Sequence, residues 1–289
     1  MPRRRRVLAV AAALLAMLAS SAPAGGTAEA AARRIAVLAP HLAELAYAAG
    51  AGSRLVAGVA FTDYPPAAAD LPRIGDAFRI DYEALAAVAP DLVLAWASGT
   101  PVEVVERLRA LGYRVVLMPS PSLAGIAGQI ERLGALAGTR EAAERSARRY
   151  RERLRALAAT AAGKRRLRVF YQVSSQPLRT VTGRHAIGEA MALCGGDNPF
   201  AGLAGLAPVV SVESVIAARP EAIIASGYAP NRPPDFSRWQ DWPELPASRA
   251  GNFFSVPADL VSRPGPRLID GAEAICDALD RAREALAQD

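Results

Sequence analysis

Residues 83–95 (EALAAVAPDLVLA) and residues 213–225 (ESVIAARPEAIIA) decide the fold, because they repeat one pattern 130 positions apart. In each copy a glutamate lies seven residues before a proline, an acidic residue follows the proline, and an apolar run comes last. The pattern predicts a short helix, a turn and a buried strand. Chance likeness between two alanine-rich helices is the alternative, but it does not account for the shared Pro-acid-strand ending. Two related α/β units are therefore predicted.

The flanking sequence continues this alternation. Apolar runs at 35–38, 55–59 and 115–118 predict strands, and helical patterns lie between them, including one at about 101–111. The helical segment at 189–196 (EAMALCGG) also resembles the segment at 44–50 (ELAYAAG). Short apolar strands alternating with helices predict parallel sheets covered on both faces.

Between the two units, residues 139–164 predict one long helix. The segment has no proline, no glycine before Gly163, and many Ala, Arg and Glu residues. A helix of this length extends about 35 Å and would act as a stiff strut. We therefore predict an N-terminal lobe at 33–138, a linking helix at 139–164 and a C-terminal lobe at 165–289, with a ligand in the cleft between lobes.

Residues 1–24 have the pattern of a secretory signal peptide. Four arginines precede an apolar run of about 13 residues, which is too short to span a bilayer, and small residues follow. Cleavage is expected after Ala24, with a site near Ala30 as the alternative. No cysteine follows the apolar run, so a lipid anchor there is not expected, and the mature chain is predicted to be soluble and exported.

Composition argues against nucleic-acid binding. The chain has 289 residues, of which 52% are hydrophobic and 21% charged, and its net charge is +6. Residues 1–24 contain four basic residues and no acidic one, so the remainder carries only +2. Its arginines alternate with glutamates, as on a solvated helix face.

Cys194 and Cys276 are the only cysteines, and they are 82 positions apart. In an exported protein two cysteines usually form a disulfide, and two buried free thiols are the alternative. A metal site is not expected, because the chain offers only His41 and His185 as further nitrogen ligands.

Several motifs resemble one known family. They are residues 62–66 (TDYPP), 89–96 (APDLVLAW), 194–198 (CGGDN) and 264–267 (PGPR). From about 33 to 285 the chain resembles the helical-backbone, class III periplasmic binding proteins of metal-chelate ABC importers, above all the cobalamin-binding ones. The resemblance implies two Rossmann-like α/β lobes with central parallel sheets joined by one long rigid helix. It also supports pairing of Cys194 with Cys276.

The resemblance further implies a periplasmic monomer without catalytic residues, metal or resident cofactor. Its ligand would be cobalamin or a related metal chelate, and its partners the membrane permease subunits of an ABC importer. The expected ligand contacts are Tyr64, from the TDYPP motif, and Asp259 and Arg263, from a later segment (DLVSR).

Four other aromatic residues are candidates for the site. Phe78 lies where the family often has an aromatic cleft residue, and Trp96 ends a strand where α/β proteins usually bind ligands, although it could equally plug the core. Trp239 and Trp242 could line the rim of the cleft or attach their loop to the lobe surface.

Glu83 and Glu213 occupy equivalent positions in the repeat. In the family, one surface glutamate on each lobe docks onto arginines of the membrane subunits, and we expect these two to do so. A pair of matching anionic points suits a two-fold related pair of subunits. The alternative is that each only favours the start of its helix through the helix dipole.

The chain departs from the family pattern at two positions, and these departures leave other functions open. Cobalamin binders of the family often have a tryptophan where this chain has Ala207, and Leu260 replaces another. A haem or ferric-siderophore receptor is therefore the first alternative. An exported α/β enzyme using His41 or His185 as a base is the second.

Overall fold

The doubling predicted from the sequence is present in two four-stranded parallel sheets. A computed structural model describes residues 30–76, 78–227 and 233–288, and the predicted signal segment lies outside these ranges. The described residues from Ala32 onward form one compact unit. Within the described ranges, no helix combines the length and the apolar character needed to cross a membrane.

The first sheet has the strand order β2-β1-β3-β4, with every neighbouring pair parallel. Its elements in chain order are β1 (Ile35–Val37), α1 (Pro40–Ala48), β2 (Leu55–Ala57), α2 (Tyr82–Ala87), β3 (Leu92–Trp96), α3 (Val102–Ala110), β4 (Val115–Met118) and α4 (Ile126–Ala137).

A long helix, α5 (Arg140–Ala161), leads to the second half. There follow β5 (Leu167–Gln172), a short antiparallel hairpin of β6 (Ser174–Ser175) and β7 (Leu178–Arg179), α6 (Ala186–Leu193), β8 (Gly196–Asp197), α7 (Val212–Ala218), β9 (Ala222–Gly227), α8 (Ser237–Gln240), α9 (Pro246–Arg249), β10 (Phe253–Pro257), α10 (Ala258–Val261) and α11 (Leu268–Leu286). The second sheet is also parallel, in the order β8-β5-β9-β10.

The two sheets have the same topology, because β8, β5, β9 and β10 take the places of β2, β1, β3 and β4. Helices α2 and α7 both begin after a capping side chain: Asp81 accepts hydrogen bonds from two backbone N–H groups, and Ser211 accepts one. The predicted helix-turn-strand repeat is thus confirmed, and so is the parallel α/β fold class.

The long helix α5 has 22 residues and ends slightly inside the predicted limits. It packs Ala143, Ala147 and Tyr150 into the core. Arg151 forms a bidentate ion pair with Glu131 on α4, and Arg153 pairs with two acids on α11. Ion pairs in its second half therefore attach the helix to α4 and to α11.

One hydrophobic cluster runs through both halves, and two smaller clusters cover the outer faces of the sheets. Within the large cluster, a disulfide joins Cys194 at the end of α6 to Cys276 on α11, so the alternative of two free thiols is wrong. The large cluster continues across residues 138–139 and 164–165. The lobe boundaries at these two places therefore stay predictions.

Candidate ligand-binding cleft

A cavity of about 430 Å³ lies between the halves. The first half contributes Trp96 at the end of β3, Ser98 just after it, and residues 120–122 after β4. The second half contributes the start of α6, residues 206–207 and parts of the segment 261–268. The cavity thus lies at carboxyl ends of parallel strands, where open α/β sheets usually bind ligands.

Trp96 forms a half-buried wall of this cavity. Its indole Nε1–H donates to Ser120 Oγ at 2.7 Å, and Ser98 Oγ lies 2.8 Å from the same oxygen. On the other side the indole meets the His41 ring edge-on, with 5.0 Å between centroids. The side chain therefore both lines the cavity and packs against the core, so the two interpretations of Trp96 are compatible.

A charged cluster connects the halves beside the cavity. Glu44 on α1 is buried and accepts a bidentate pair of hydrogen bonds from Arg267, at 2.8 and 3.0 Å. Arg263 donates to Asp63 at 2.6 Å and lies 3.1 Å from Asp259. The cluster (Glu44, Asp63, Asp259, Arg263 and Arg267) joins residues about 200 positions apart.

Burial and neighbouring charges have opposite effects on the pKa of Arg263 in this cluster. Burial lowers the pKa of Arg263, but the hydrogen bond to Asp63 and the charges of Asp259, Asp63 and Glu44 raise it, and the net shift is upward. The hydrogen bond from Arg263 is also the main cause of a lowered pKa for Asp63. Both groups therefore stay charged at neutral pH.

Tyr64 lies at this cluster. The guanidinium of Arg267 stacks on its ring, 4.0 Å from the centroid, and 43% of the residue is exposed. Such stacking holds the ring in place while leaving surface accessible. Three predicted contacts, Tyr64, Asp259 and Arg263, are thus brought together, and Trp96 lies in the adjacent cavity wall.

Phe78 does not lie with Tyr64, Asp259 and Arg263. It is 71% exposed, its backbone N–H is bonded to Asp76, and it is absent from the cavity lining. Ala207 and the exposed Leu206 do line the cavity, so the missing tryptophan leaves an aliphatic wall.

The two remaining tryptophans, Trp239 and Trp242, differ in burial. Trp239 is fully buried, donates its indole N–H to Gln172 Oε1 at 2.7 Å and packs against Phe170. A position at the cleft rim is therefore wrong for Trp239, which fastens α8 to the second sheet. Trp242 is 40% exposed.

Neither histidine is arranged as a base. Burial, aided by the charge of Arg263, lowers the pKa of His41 to about 3, so its imidazole is neutral. His185 caps α6: its Nδ1 accepts a hydrogen bond from the Ile187 N–H at 3.1 Å. Within the described ranges, no three His, Cys, Asp or Glu residues are grouped to hold a metal ion.

Glu83 and Glu213 lie in the first turns of α2 and α7, and both are exposed. They thus occupy matching positions on the two halves. Hydrogen bonds from its own backbone N–H and from the Ser211 hydroxyl lower the pKa of Glu213.

Sequence reasoning missed several residues of this site. Glu44, Asp63 and Arg267 complete the charged cluster, and Glu189 lines the cavity. A signal existed for the two glutamates, because each is an acidic residue inside an otherwise apolar helix and the two segments resemble each other. Nothing local indicated which residues they contact.

Comparisons with known proteins agree with this architecture. A vitamin B12-binding protein of Vibrio parahaemolyticus is 36% identical over 245 residues, covering 84% of this chain and 88% of the relative. One of Vibrio cholerae is 36% identical over 253 residues, covering 88% and 91%.

Solved structures share the fold. The periplasmic vitamin B12-binding protein BtuF of Vibrio cholerae superposes with a TM-score of 0.77 at 36% identity, covering 87% of this chain and 98% of that one. The periplasmic haem-binding protein HutB of Vibrio cholerae has a TM-score of 0.75 at 21% identity, covering 85% and 98%, which shows the fold alone.

The fold is that of the class III periplasmic binding proteins, and the relatives are binding proteins rather than enzymes. Residues 35–260 match the family described as periplasmic binding proteins. With two parallel sheets, a cavity between them and this match over most of its length, the chain belongs to the periplasmic binding protein family.

Proposed function

We propose that this protein captures cobalamin in the cleft and delivers it to a membrane ABC importer. The observation that carries this proposal is the 36% identity to vitamin B12-binding proteins over most of the chain. The haem-binding structures with the same fold reach only 21–23% identity. The proposal includes export to the periplasm with removal of residues 1–24.

The geometry of the cleft suits a flat, largely apolar macrocycle with amide edges. Trp96 and Leu206 offer apolar surface within the cavity, and Tyr64 offers a ring held by Arg267 beside it. A corrin is larger than a cavity of about 430 Å³, so it would extend through the mouth toward Tyr64. There, Asp259 and Arg263 supply polar partners for the amide edge.

The first test is a calorimetric titration of the mature protein with cyanocobalamin, with haemin and a ferric siderophore as comparison ligands. We expect a 1:1 isotherm with cyanocobalamin and a submicromolar Kd, typical of a pocket with aromatic anchors. Saturable binding of haemin or siderophore without binding of cyanocobalamin would overturn the choice of cobalamin while leaving the family assignment intact.

Replacing Tyr64 with alanine should weaken cyanocobalamin binding by about tenfold, because a pre-positioned aromatic surface is lost. Tyr64→Phe is the matched control, since it keeps the ring, and its Kd should stay within about threefold of the wild-type value. Equal affinities of the alanine variant and the wild type would exclude Tyr64 from the ligand contact.

We further propose that Glu83 and Glu213 dock onto basic residues of the importer. Both carboxylates are exposed and symmetry-related in position, and charge-assisted pairs orient a complex. The variant Glu83→Gln/Glu213→Gln should bind cyanocobalamin as the wild type does, yet slow importer-dependent uptake by at least about tenfold. Glu103→Gln, at an exposed first-turn glutamate of α3, is the control. Normal uptake by the double variant would leave only the helix-dipole role.

A further inference from the structure

Helix α6 presents two polar side chains to the cavity, His185 at its N-cap and Glu189 one turn later. Side chains four residues apart lie on the same face of a helix. Both belong to the cavity lining, and neither is among the ligand contacts implied by the family resemblance.

The cap determines the tautomer of His185. Its Nδ1 accepts the Ile187 N–H at 3.1 Å, so in the neutral ring the proton is on Nε2. Burial lowers the pKa of His185, which favours that neutral ring. Among the described residues Nε2–H has no hydrogen-bond acceptor, and the residue lines the cavity. His185 therefore offers a donor to a ligand, and its lone pair is occupied.

Glu189 offers the complementary group. Its Oε2 accepts the backbone N–H of Leu123 at 2.6 Å, which anchors the carboxylate to the first half. Its other oxygen, Oε1, accepts no hydrogen bond from the described part of the chain, and Glu189 lines the cavity. One carboxylate oxygen is therefore held in place as an acceptor for a ligand.

We propose that His185 and Glu189 together recognise a primary carboxamide on the edge of the ligand. The amide C=O accepts from His185 Nε2–H, and the amide NH2 donates to Glu189 Oε1. A carboxylate at this place has no N–H to donate and is repelled by Glu189. The pair thus selects macrocycles edged with carboxamides, as corrins are, over those edged with carboxylates, as haem is.

This inference rests on the proposed function and adds the basis of its selectivity. Arg184 also lines the cavity and would attract a carboxylate. It is exposed, however, and its guanidinium donates to the Gly205 carbonyl oxygen at 3.2 Å. An exposed charge is screened by solvent far more than the partly buried Glu189, so the repulsion by Glu189 dominates.

The test compares two corrins by calorimetry, dicyanocobinamide, which is edged with amides, and dicyanocobyrinic acid, the same ring edged with carboxylates. Glu189→Gln keeps an oxygen for Leu123 but replaces the free oxygen with an NH2 group. We expect it to reduce the preference for the amide-edged corrin by about tenfold, mostly through tighter binding of the acid. An Arg184→Ala control should move the preference in the opposite direction.

His185 is tested by a pair of variants that both cap the helix. Asp and Asn each supply an oxygen for the Ile187 N–H, but only Asn keeps an N–H donor. Dicyanocobinamide should bind His185→Asn within about threefold of the wild type and His185→Asp about tenfold more weakly. Thermal unfolding of each variant checks that the fold is retained.

The two proposals fail differently. If the wild type binds cyanocobalamin but Glu189→Gln leaves the amide preference unchanged, or the two His185 variants bind equally, the amide-recognition inference is overturned alone. If the wild type binds none of the three corrinoids, both proposals are overturned.

Discussion

Replacing Glu44 with glutamine is expected to lower the free energy of unfolding by about 3 kcal/mol. The carboxylate is buried between two cationic side chains, and it is the only ion-pair partner of Arg267 among the described residues. Without it, Arg267 keeps a largely buried charge with no direct ion-pair partner among the described residues, and only the more distant charge of Asp259 opposes it. Removing one member of a buried pair costs much more than the pair contributes over an apolar replacement, because the other charge remains desolvated.

Urea unfolding followed by circular dichroism measures this change. The matched control is Glu141→Gln, which removes the ion pair with Arg145 on the surface of α5. The Glu141 side chain is 92% exposed, so this control should change the stability by less than about 0.5 kcal/mol. A Glu44→Gln variant as stable as this control would mean that Asp63 and Asp259 neutralise both arginines without Glu44.

The function of Glu44 follows from where its partners lie. Arg267 stacks on Tyr64, and Glu44 holds Arg267, so the glutamate acts through the arginine on a proposed ligand contact. The cluster also connects α1 to the segment just before α11. Loss of Glu44 should therefore weaken cyanocobalamin binding as well as stability.

Replacing Cys194 and Cys276 together with alanine should lower the free energy of unfolding by about 4 kcal/mol. The bridge closes a loop with a sequence separation of 82 residues. In the chain-entropy account, a cross-link of that span removes many conformations from the unfolded chain, and without it those conformations return. Two small cavities at the buried sulfur positions add a further cost.

Wild-type protein with and without reductant provides the control. Reductant should bring the wild type close to the stability of the double alanine variant and leave the variant unchanged. The urea dependence of unfolding should also change, since the uncrosslinked chain exposes more surface on unfolding. If reduction leaves the wild-type midpoint unchanged although both thiols are free, the bridge does not contribute to stability.

The repeat is the part of the fold that could be predicted with most detail. The segments at 83–95 and 213–225 became α2 with β3 and α7 with β9, and the long helix formed within the predicted limits. Helix periodicity, caps and proline turns act between residues close in the chain, so the sequence shows them directly. The pairing of Cys194 with Cys276 could also be predicted, because the chain has no third cysteine.

The site was predicted less completely. Tyr64, Asp259 and Arg263 do lie together, but Glu44 and Arg267, 223 positions apart, were not connected by any local pattern. Trp239 and Trp242 looked alike in the sequence, yet one is buried in the core and the other is 40% exposed. Burial depends on which surface a loop packs against, and that surface comes from elsewhere in the chain.

The sequence by itself therefore determined the doubled α/β architecture, the rigid helix between the halves and the positions of Glu83 and Glu213. Only the tertiary structure decided that Arg267 holds Tyr64, that Trp96 lines a cavity, and that His185 and Glu189 lie on one wall of it. The physical reason is the separation along the chain over which each kind of interaction acts. Secondary structure follows from forces between near neighbours, whereas a binding cleft is made by side chains that meet only when two sheets are placed side by side.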